Sequence, residues 1–548
     1  MSSKSLFIGF DLSTQQLKAI AIDEHLAFHS EYFVLFDRDL PQYKTCNGVL
    51  KEGPSVVAPV AMWVEALDLL LNQMKIENFP FQLVKGISGA GQQHGSVYWS
   101  GKAEEILKSY DIEKPLHEQI SEALSHPMSP NWQDSSTSVE CHEFEESAGG
   151  PKQLAEITGS KAHHRFTGPQ ILSFRKKHPE KYEITSRISL VSSFLASVLV
   201  GRIVEMDISD VCGANLWDVQ KNEYCQQLME LTAGSAAKTP ELNRKLGSVV
   251  SGDHNFGSVS TYFQEKFRFN KDCVVISFTG DNPSTILSLP LHAMDVVLSL
   301  GTSTTLLLLT PSYIPHPSYH LFKHPTTNGL YMSMLCYKNG GLAREQIRDT
   351  LEPPTWETFN EHIIQTEPFG GQNRKKLGYY YPLDEIIPPT SSSLTRFSTR
   401  DNDLVVTNWE NTLDPRIICE SQALSCSLRA RPLLNNKPPR RLYVVGGGSR
   451  NSTIIDVFAD VIGGDVFIPH SGNACAQGAA NKAAWAVLGN GKSFETFVQQ
   501  LEGTCARVRG FDRVKWNIYQ EILDLYEKGE QIVVEAGSTS GRSFECHD

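Results

Sequence analysis

The same short pattern occurs in two distant parts of this chain, and it constrains the fold more than any other feature. An apolar run, a turn rich in Gly, Ser and Thr, and a second apolar run read FIGFDLSTQQLKAIAI over 7–22 and VVLSLGTSTTLLLL over 296–309. Each copy predicts a β-hairpin. Alone, either would be an ordinary polar turn. Because such turns present backbone N–H groups and small hydroxyls suited to phosphate oxygens, two copies predict two lobes that bind one polyphosphate.

Length and charge narrow the class of protein. A chain of 548 residues is expected to form roughly two to four domains, which fits two similar lobes. Its 40% hydrophobic and 20% charged residues are typical of a globular protein. The net charge of -12 argues against nucleic-acid or anionic-membrane partners, because both favour clustered Lys and Arg.

Cysteine usage and the N-terminal residues indicate the compartment. The 11 cysteines, from Cys46 to Cys546, form no CxxC pair and no metal-like spacing, which is typical of reduced thiols in a cytosol-like environment. The opening MSSKSLFIGF lacks a signal-peptide layout. The apolar segment 188–200 is interrupted by serines and too short to span a membrane, so it predicts a buried helix. We therefore expect a cytoplasmic protein without a membrane segment.

The apolar patterns of the first lobe predict a mixed sheet with a helix on its face. Strands on both sides of Asp11 are followed by a third strand over 33–36, a helix over 56–74 and a strand over 83–88. Residues 102–130 are charged and bounded by proline, and predict an insertion with one amphipathic helix over 116–124. We place the lobe boundary near Lys271, giving domains 1–271 and 272–548.

The second lobe begins with an apolar run and contains a long stretch of turn-forming residues. Residues 353–412 are rich in Pro, Ser and Gly and predict a loop. The Ala-rich segment 474–488 predicts a tightly packed helix. The other predicted elements are a strand over 273–278, a strand over 330–336, a helix over 342–349, a helix over 416–428, the strand RLYVV followed by a GGGS turn, and a helix over 452–462.

The first hairpin turn carries a carboxylate at the end of a predicted buried strand. A carboxylate beside a phosphate-binding turn is electrostatically favourable when a divalent cation, usually Mg²⁺, bridges it to the phosphates. The alternative is a turn residue that caps the hairpin. We predict a metal role for Asp11. The predicted phosphate-binding residues are Ser13, Thr14 and Gln15 in the first turn and Gly301, Thr302 and Ser303 in the second.

Three polar motifs in the first half of the chain are candidates for a substrate pocket. The loop GAGQQHGS places Gln92, Gln93 and His94 between glycines, where directional donors and acceptors suit a polyhydroxylated ligand. NWQDSS and HHRFTG add Asp134 and Arg165 to the same predicted pocket. A lone loop histidine is also compatible with a purely structural role.

Two further motifs follow predicted strands. In TGDN, over 279–282, a Gly and an Asp at a strand end present a carboxylate as a general base would be presented to a hydroxyl, although GDN is also an ordinary turn. VVGGGSRN, over 444–451, precedes a predicted helix, and its glycines allow adenosine to approach the backbone. It does not fit the dinucleotide-binding fingerprint, and a helix-capping turn is the alternative.

Taken together, the motifs resemble one protein family. FIGFDLSTQQ, GQQHGS, SDVCGANLWD, TGDN, SLGTS and GGGSRNSTIIDVFADVIGG occur in the order seen in the FGGY family of carbohydrate kinases, and the resemblance covers nearly the whole chain. It implies an α/β, two-lobed actin-like ATPase (ribonuclease H-like) fold with a duplicated mixed-sheet core and a central cleft, in which ATP and a sugar meet.

The resemblance also implies residue roles. Asp281 would be the general base, and the substrate-binding residues would be Gln93, His94, Arg165, Asp281 and Asn282. The adenine-side residues would be Gly446, Gly447, Gly448 and Asn451, with Trp356 on the nucleotide side. Two motifs depart from many family members: DLST replaces DLGT, and WQDSS replaces a WNDGR-like motif. The second departure leaves a substrate role for Asp134 open.

The activity implied is ATP-dependent phosphorylation of D-xylulose at its terminal hydroxyl to give xylulose 5-phosphate, with ATP and Mg²⁺ as cofactors and a monomer or homodimer as the unit. Alternatives within the family are kinases of ribulose, gluconate or glycerol, the last disfavoured because GQQHG stands where an NQRE-like loop is expected. An alternative from another class is an actin-like or chaperone-like ATPase, which would not need TGDN with QQHG. A nucleotide-binding protein without turnover is disfavoured by the presence of Asp11 and Asp281.

Overall fold

The chain forms two compact units. The computed structural model describes residues 5–371, 374–400, 403–469 and 473–540, without the side chains of 538–540. The first unit comprises Met1–Leu291, Pro315–Tyr331 and Asn473–Glu502, and the second comprises His292–Ile314, Met332–Gly472 and Gly503–Asp548. The boundary expected after residue 271 falls inside the first unit, because the strand that follows it pairs within the first sheet.

Residues up to 291 form seventeen strands and thirteen α-helices within the described part, besides short 3-10 helices. The strands are β1 (Leu6–Leu12), β2 (Gln16–Asp23), β3 (Phe28–Leu35), β4 (Leu50–Glu52), β5 (Ser55–Pro59), β6 (Val84–Gly91), β7 (Ser96–Ser100), β8 (Leu124–His126), β9 (Met128–Pro130), β10 (Thr185–Leu190), β11 (Met206–Asp207), β12 (Trp217–Asp218), β13 (Glu223–Tyr224), β14 (Val249–Val250), β15 (Asn255–Ser258), β16 (Val274–Ile276) and β17 (Thr279–Gly280). The helices are α1 (Phe36–Asp39), α2 (Val60–Ile76), α3 (Ala103–Lys108), α4 (Leu116–Ala123), α5 (Ser138–Ala148), α6 (Pro151–Thr158), α7 (Thr167–Lys177), α8 (Pro179–Glu183), α9 (Val191–Val200), α10 (Gln226–Ala233), α11 (Thr239–Leu246), α12 (Thr261–Phe267) and α13 (Asp281–Ile286).

The remaining elements follow in chain order. The strands are β18 (Val296–Leu300), β19 (Thr304–Thr310), β20 (His320–Lys323), β21 (Tyr331–Tyr337), β22 (Lys376–Tyr381), β23 (Ser393–Arg400), β24 (Asp403–Val406), β25 (Arg441–Val445), β26 (Asp465–Pro469) and β27 (Cys505–Arg509). The helices are α14 (Gly341–Asp349), α15 (Trp356–Gln365), α16 (Asp414–Leu433), α17 (Ser452–Ile462), α18 (Ala474–Leu488), α19 (Phe494–Phe497), α20 (Arg513–Gln520) and α21 (Leu523–Ser540). Of these, β20, α18 and α19 lie in the first unit.

The main sheet of the first unit is mixed, with strand order β15-β16-β6-β1-β2-β3. The predicted first hairpin is confirmed, because β1 and β2 pair antiparallel from Leu6 opposite Asp23 to Leu12 opposite Leu17. Strand β6 runs parallel to β1 on one side and to β16 and β17 on the other. The parallel strands β1, β6 and β17 therefore end at the same edge of the sheet.

The Ala-rich helix α18 packs against β1 and β6, and its predicted bounds are confirmed. Close approach is possible because Gly9 has no side chain. A Cβ built on Gly9 would lie 2.0 Å from the carbonyl oxygen of Ala476 and 2.3 Å from the amide nitrogen of Ala480. Small residues on the helix and the strand thus allow backbone-to-backbone packing, and any larger residue at position 9 would displace α18.

The main sheet of the second unit repeats this arrangement. Strands β21, β19, β18, β25, β26 and β27 follow one another across it. The predicted second hairpin is confirmed, since β18 and β19 pair antiparallel while β18 runs parallel to β25. Each unit therefore contains a hairpin whose first strand has a parallel neighbour. This confirms the predicted α/β class with a mixed sheet in each half.

The prediction of a loop over 353–412 is wrong. The segment contains helix α15 and strands β22, β23 and β24, which form a three-stranded antiparallel sheet. Tyr379, Tyr380 and Phe397 of this sheet are buried. The prolines, serines and glycines of this segment occur mainly between the elements. The buried aromatic residues stabilise the strands, and the average composition does not reveal them.

Three other sequence predictions differ from the structure. The apolar run from Val56 begins as strand β5 and becomes helix α2 only at Val60, because Pro59 cannot continue a strand ladder and is favoured before a helix. The segment 188–200 is likewise part strand and part helix. The insertion 102–130 contains two helices, and its strands β8 and β9 pair with β7 and β5. No helix in the described ranges combines the length and apolarity that crossing a membrane requires.

Candidate active site

Three of the polar motifs predicted for the first unit lie at one edge of its sheet. Asp11, in β1, is opposite Ala90 of β6, and Thr279 of β17 is opposite the same Ala90. The Gln92–Gln93 segment follows β6 directly, and Asp281 follows β17 directly. The structure thus brings together three motifs that are far apart in the sequence, because parallel strands present their C-terminal ends on the same side.

Asp11 is a partly buried carboxylate with an unused acceptor. Its Oδ1 atom has no hydrogen-bond partner among the described residues. Burial raises the pKa of Asp11 to about 6, an effect that the Cys475 thiol and the Lys18 ammonium oppose. An unpartnered carboxylate oxygen is a typical cation ligand. In the described part of the chain no group of three or more His, Cys, Asp or Glu could hold a metal, so a cation at Asp11 would take its other ligands from phosphate and water.

Asp281 is the first residue of helix α13. Its Oδ1 accepts hydrogen bonds from the backbone N–H of Asn282 at 2.7 Å and from the Asn282 Nδ2 at 2.9 Å. Burial and then the nearby negative charge of Asp11 raise the pKa of Asp281 to about 7, against the opposing effect of the Asn282 hydrogen bonds. A carboxyl group with a pKa near neutrality is suited to accept a proton from a substrate hydroxyl.

The QQHG loop contributes three buried polar side chains, Gln92, Gln93 and His94. Gln93 Oε1 accepts from Asn282 Nδ2 at 3.1 Å, which links the loop to the TGDN turn. His94 adopts a positive φ of 76°, and its Nδ1 lies 2.9 Å from the carbonyl oxygen of Gly213. Since a carbonyl only accepts, Nδ1 carries the proton and Nε2 is the acceptor nitrogen. Burial holds the pKa of His94 well below its usual value, so the ring is neutral.

Arg165 is buried between two histidines. Its Nη1 lies 3.0 Å from Nε2 of His163, and its Nη2 lies 2.9 Å from Nε2 of His320. Burial and the guanidinium charge hold the pKa of both histidines well below the usual value. Both rings are therefore neutral and accept hydrogen bonds from Arg165. His320 was not predicted as a site residue, and the adjacent His163 and His164 are the sequence signal for this cluster.

Asp134 has a structural role in the fold. It accepts from the Val56 N–H at 2.8 Å, from Gln170 Nε2 at 2.8 Å, and from both the N–H and the hydroxyl of Ser136. These donors occupy both of its oxygens. The carboxylate therefore joins the segment after β9 to β5 and α7.

The first hairpin turn is short and is held by hydrogen bonds within the turn and to Trp132 and Phe36. Ser13 donates from its N–H and its hydroxyl to the Gln16 carbonyl at 3.0 and 3.1 Å. Thr14 Oγ1 accepts from the Trp132 indole at 2.8 Å. Gln15 accepts at its carbonyl from the Phe36 N–H. All three residues lie between Asp11 and β2, at the sheet edge that carries Asp281.

The second hairpin turn is held by hydrogen bonds from the N-terminus of helix α14. The N–H groups of Gly341 and Leu342, at the start of α14, donate to the carbonyls of Gly301 and Thr302 at 2.9 and 3.2 Å. Thr302 and Ser303 are exposed. The Gly301 N–H donates to the Ser303 carbonyl within the turn at 3.0 Å. The exposed hydroxyls of Thr302 and Ser303 remain as donors for an anion.

The glycine-rich loop lies against this turn. Gly446 has a φ of +86°, and a Cβ on Gly446 or Gly448 would come within 2.8 or 2.7 Å of Leu300, the last residue of β18. The Gly447 position is open. Asn451 caps helix α17 by accepting from the Ile454 N–H at 3.2 Å, and its amide donates to Asn360 of α15. The turn therefore caps helix α17, which was the alternative prediction, and it also leaves the space beside Gly447 open.

Trp356 is the first residue of α15 and lies in the same unit as this loop. The Arg348 guanidinium lies 4.9 Å from its ring centroid, and Phe359 packs against its edge. One face of the indole is therefore occupied by a cation–π contact. In the second unit the structure brings together the SLGTS and GGGSRN motifs. Trp356 is connected to them through its helix, because Asn360 of α15 accepts from the Asn451 amide.

Comparison with known proteins identifies the family. Residues 6–288 match the FGGY family of carbohydrate kinases, N-terminal domain, and residues 296–487 match the C-terminal domain of the same family. The chain is 49% identical over 521 residues to "D-xylulose kinase A" of Aspergillus niger, covering 90% of this chain and 91% of that one. It is 47% identical over 566 residues to "Probable D-xylulose kinase A" of Aspergillus fumigatus, covering 97% and 98%.

A solved structure shares the fold. The ligand-bound xylulose kinase of Lactobacillus acidophilus aligns with a TM-score of 0.77 at 14% identity, covering 98% of this chain and 99% of that chain. At this low sequence identity, the similarity shows a shared fold and nothing about function. The chain belongs to the FGGY family of carbohydrate kinases. It is an enzyme, a sugar kinase, and members of this family use ATP as the phosphate donor.

Proposed function

We propose that this enzyme phosphorylates D-xylulose at its terminal hydroxyl, with ATP as donor, and that Asp281 is the general base. One observation carries the proposal. Asp281, with a pKa raised to about 7, is joined through Asn282 to Gln93, and the charge of the buried Arg165 acts on it. A base beside a neutral histidine, an amide and a guanidinium forms a site for a polyhydroxylated carbonyl compound.

Each residue of the site has its own role in the proposed reaction. Gln93, His94, Arg165 and Asn282 orient the ketose by hydrogen bonds, and Asp281 accepts the proton of the attacking hydroxyl as the new P–O bond forms. Thr302 and Ser303 in the second turn and Thr14 and Gln15 in the first donate to phosphate oxygens, while Ser13 and Gly301, whose N–H groups donate to the Gln16 and Ser303 carbonyls, hold the two turns in shape. Gly446, Gly447, Gly448, Asn451 and Trp356 contact the adenosine. Asp11 would hold Mg²⁺, which when bound would neutralise charge on the phosphates.

A coupled assay of ATP consumption over a panel of sugars tests the substrate. D-xylulose is expected to give a kcat/KM at least about tenfold above D-ribulose, gluconate and glycerol, because a site that hydrogen-bonds substrate hydroxyls rejects analogues that leave its buried polar groups unpaired. The product should carry phosphate at C5, as read by phosphorus NMR. A higher kcat/KM for another panel member, or ATP hydrolysis that no sugar changes, would contradict the proposal.

The pH dependence of kcat tests the protonation state of the base. Since Asp281 has a pKa raised to about 7 and must be ionised to accept a proton, kcat is expected to fall about tenfold per pH unit below that value. The nearby histidines contribute no such step, because their pKa values lie well below the usual range. A kcat that stays constant from pH 8 to pH 5, after correction for enzyme stability, would argue against Asp281 as the base.

A further inference from the structure

Three charged side chains are buried behind the TGDN turn in the first unit. Asp207, Asp210 and Lys482 are 0%, 2% and 0% exposed. Asp207 ends β11, Asp210 begins a short 3-10 helix over Asp210–Ala214, and Lys482 lies in the middle of α18. None of them reaches the surface, and ionised groups are rarely buried unless they are paired. Because burying ionisable groups is energetically costly, we looked for a role of these three side chains inside the protein.

Asp207 binds the first residue of the turn. Its Oδ1 accepts from the hydroxyl of Thr279 at 2.6 Å and from the N–H groups of Ser209 and Asp210 at 2.9 and 3.1 Å. Thr279 is itself fully buried and lies two residues before Asp281. A hydroxyl-to-carboxylate bond of this length is charge-assisted and directional. Asp207 thus fixes β17 at its first residue.

Asp210 lies against the next residue of the turn. Its Oδ2 accepts from the Ser192 hydroxyl at 2.5 Å, which anchors the side chain to helix α9. Its Oδ1 lies 2.7 Å from the position that a Cβ on Gly280 would occupy. Gly280 immediately precedes Asp281, so the two acids contact consecutive residues of the backbone that carries the proposed base.

Lys482 interacts electrostatically with both acids and makes no hydrogen bond to either. Its Nζ has no hydrogen-bond partner in the part of the chain that the structure describes. Burial lowers the pKa of Lys482 to about 8, while Asp207, Asp210 and the more distant Asp253 favour its charged form. The contribution of Lys482 is therefore electrostatic. Burial raises the pKa of Asp207 above its usual value and that of Asp210 to about 7, and the positive charge of Lys482 favours the ionised form of Asp207.

We propose that Asp207, Asp210 and Lys482 form a buried charged support that holds Thr279 and Gly280 and so fixes the position of the Asp281 carboxyl during phosphoryl transfer. The three are positioning residues and contact no substrate. This inference rests on the proposed role of Asp281. It also gives a function to Asp210 of the SDVCGANLWD motif, which the substrate site leaves unassigned.

A matched pair of substitutions at Thr279 tests the support. Thr279→Val removes the hydroxyl but keeps the shape, whereas Thr279→Ser keeps the hydroxyl. Thr279→Val is expected to lower kcat about 10- to 100-fold, since small displacements of a catalytic group have effects of this size, with the KM values for sugar and ATP changed less than about threefold. Thr279→Ser should retain kcat within about threefold. Equal kcat in the two variants would overturn the proposal.

A second experiment compares a substitution of Asp207 with the same substitution at a matched control residue. Asp207→Asn keeps an acceptor for Thr279 but removes the charge facing Lys482, and is expected to lower kcat about tenfold or more with little change in KM. Asp218 is also a buried carboxylate that caps its own turn, through the N–H groups of Gln220 and Lys221. Asp218→Asn should leave kcat within about twofold. If Asp207→Asn and Asp218→Asn change kcat equally, the role of Asp207 is merely structural and the proposal fails.

Combination with Asp281→Asn separates this inference from the proposed function. If the support acts through Asp281, Thr279→Val should change the residual rate of Asp281→Asn less than about twofold, because the positioned carboxyl is already absent. A full additional loss in the double variant would overturn the positioning role alone. Near-normal kcat in Asp281→Asn itself would instead overturn the proposed base, whatever the Thr279 variants show.

Discussion

Replacement of Asp281 by asparagine is expected to lower kcat by about 10²- to 10⁴-fold, the usual contribution of a general base, with ATP affinity unchanged. Asparagine retains an oxygen that can accept from the Asn282 N–H, as Asp281 does at 2.7 Å, so the turn keeps its shape and only the proton acceptor is lost. Steady-state kinetics with D-xylulose gives kcat, and calorimetric titration with a non-hydrolysable ATP analogue gives the nucleotide affinity.

The same substitution is expected to stabilise the fold, which separates loss of catalysis from loss of structure. The pKa of Asp281 is raised in the folded protein from 3.8 to about 7, so ionisation disfavours folding above pH 3.8, and the full penalty is reached above about pH 7. Because the side chain keeps some exposure, we expect a gain of about 1–2 kcal/mol at pH 8, shrinking as the pH falls towards 4. Chemical denaturation at both ends of this range measures it.

Asp272→Asn is the matched control for Asp281→Asn. Asp272 is exposed and lies just before β16, the strand that leads into the TGDN turn. The same chemical change there should leave kcat within about twofold, because no catalytic group is nearby. A near-normal kcat in Asp281→Asn, or a loss of the same size in Asp272→Asn, would remove Asp281 from its assigned role.

The second large effect is expected for Asp11→Asn, which should lower kcat about 10²-fold and raise the Mg²⁺ concentration required for half-maximal activity about tenfold or more. A neutral amide binds Mg²⁺ more weakly than a carboxylate does, and Asp11 Oδ1 has no competing partner among the described residues. Titration of activity with Mg²⁺ at saturating ATP and sugar measures both numbers, and high Mg²⁺ should restore part of the rate.

Removal of the Asp11 charge has a further consequence for the base. The negative charge of Asp11 raises the pKa of Asp281, so Asp11→Asn should move the acidic limb of kcat towards lower pH. Asp23→Asn is the control, since Asp23 is at the opposite end of the same hairpin, paired with Leu6. An unchanged Mg²⁺ requirement in Asp11→Asn would exclude Asp11 as the cation ligand.

Much of the architecture was predictable from local sequence patterns. Both hairpins, helix α17 over 452–462 and helix α18 over 474–488 occur where their apolar periodicity and glycine-rich turns predicted them. Such elements carry their own signal, because the alternation of apolar residues, the capping residue and the turn lie within a few positions of one another. The pairing of two hairpin signals also predicted a two-unit chain.

Other elements were not predicted, because their stability depends on contacts between residues that are far apart in the sequence. Strands β22 and β23 lie in a segment whose composition is typical of loops, and they are held by buried tyrosines that stack on residues far along the chain, such as Tyr379 on Tyr526. The short strands β8 and β9 pair with β7 and β5. Strand pairing at long range leaves only a weak local pattern, so the composition of the segment misled the prediction.

By itself, the sequence determined which chemical groups this protein has and in which turns they occur: a carboxylate after one strand, another in TGDN, and amides with a histidine in QQHG. Only the tertiary structure decided that these groups converge, because the parallel register of β1, β6 and β17 brings Asp11, Gln93 and Asp281 to one sheet edge. It also decided their protonation, since burial raises the pKa of Asp281 to about 7 and places the unanticipated Asp207, Asp210 and Lys482 behind it. Desolvation and charge proximity depend on packing in three dimensions, which no local pattern encodes.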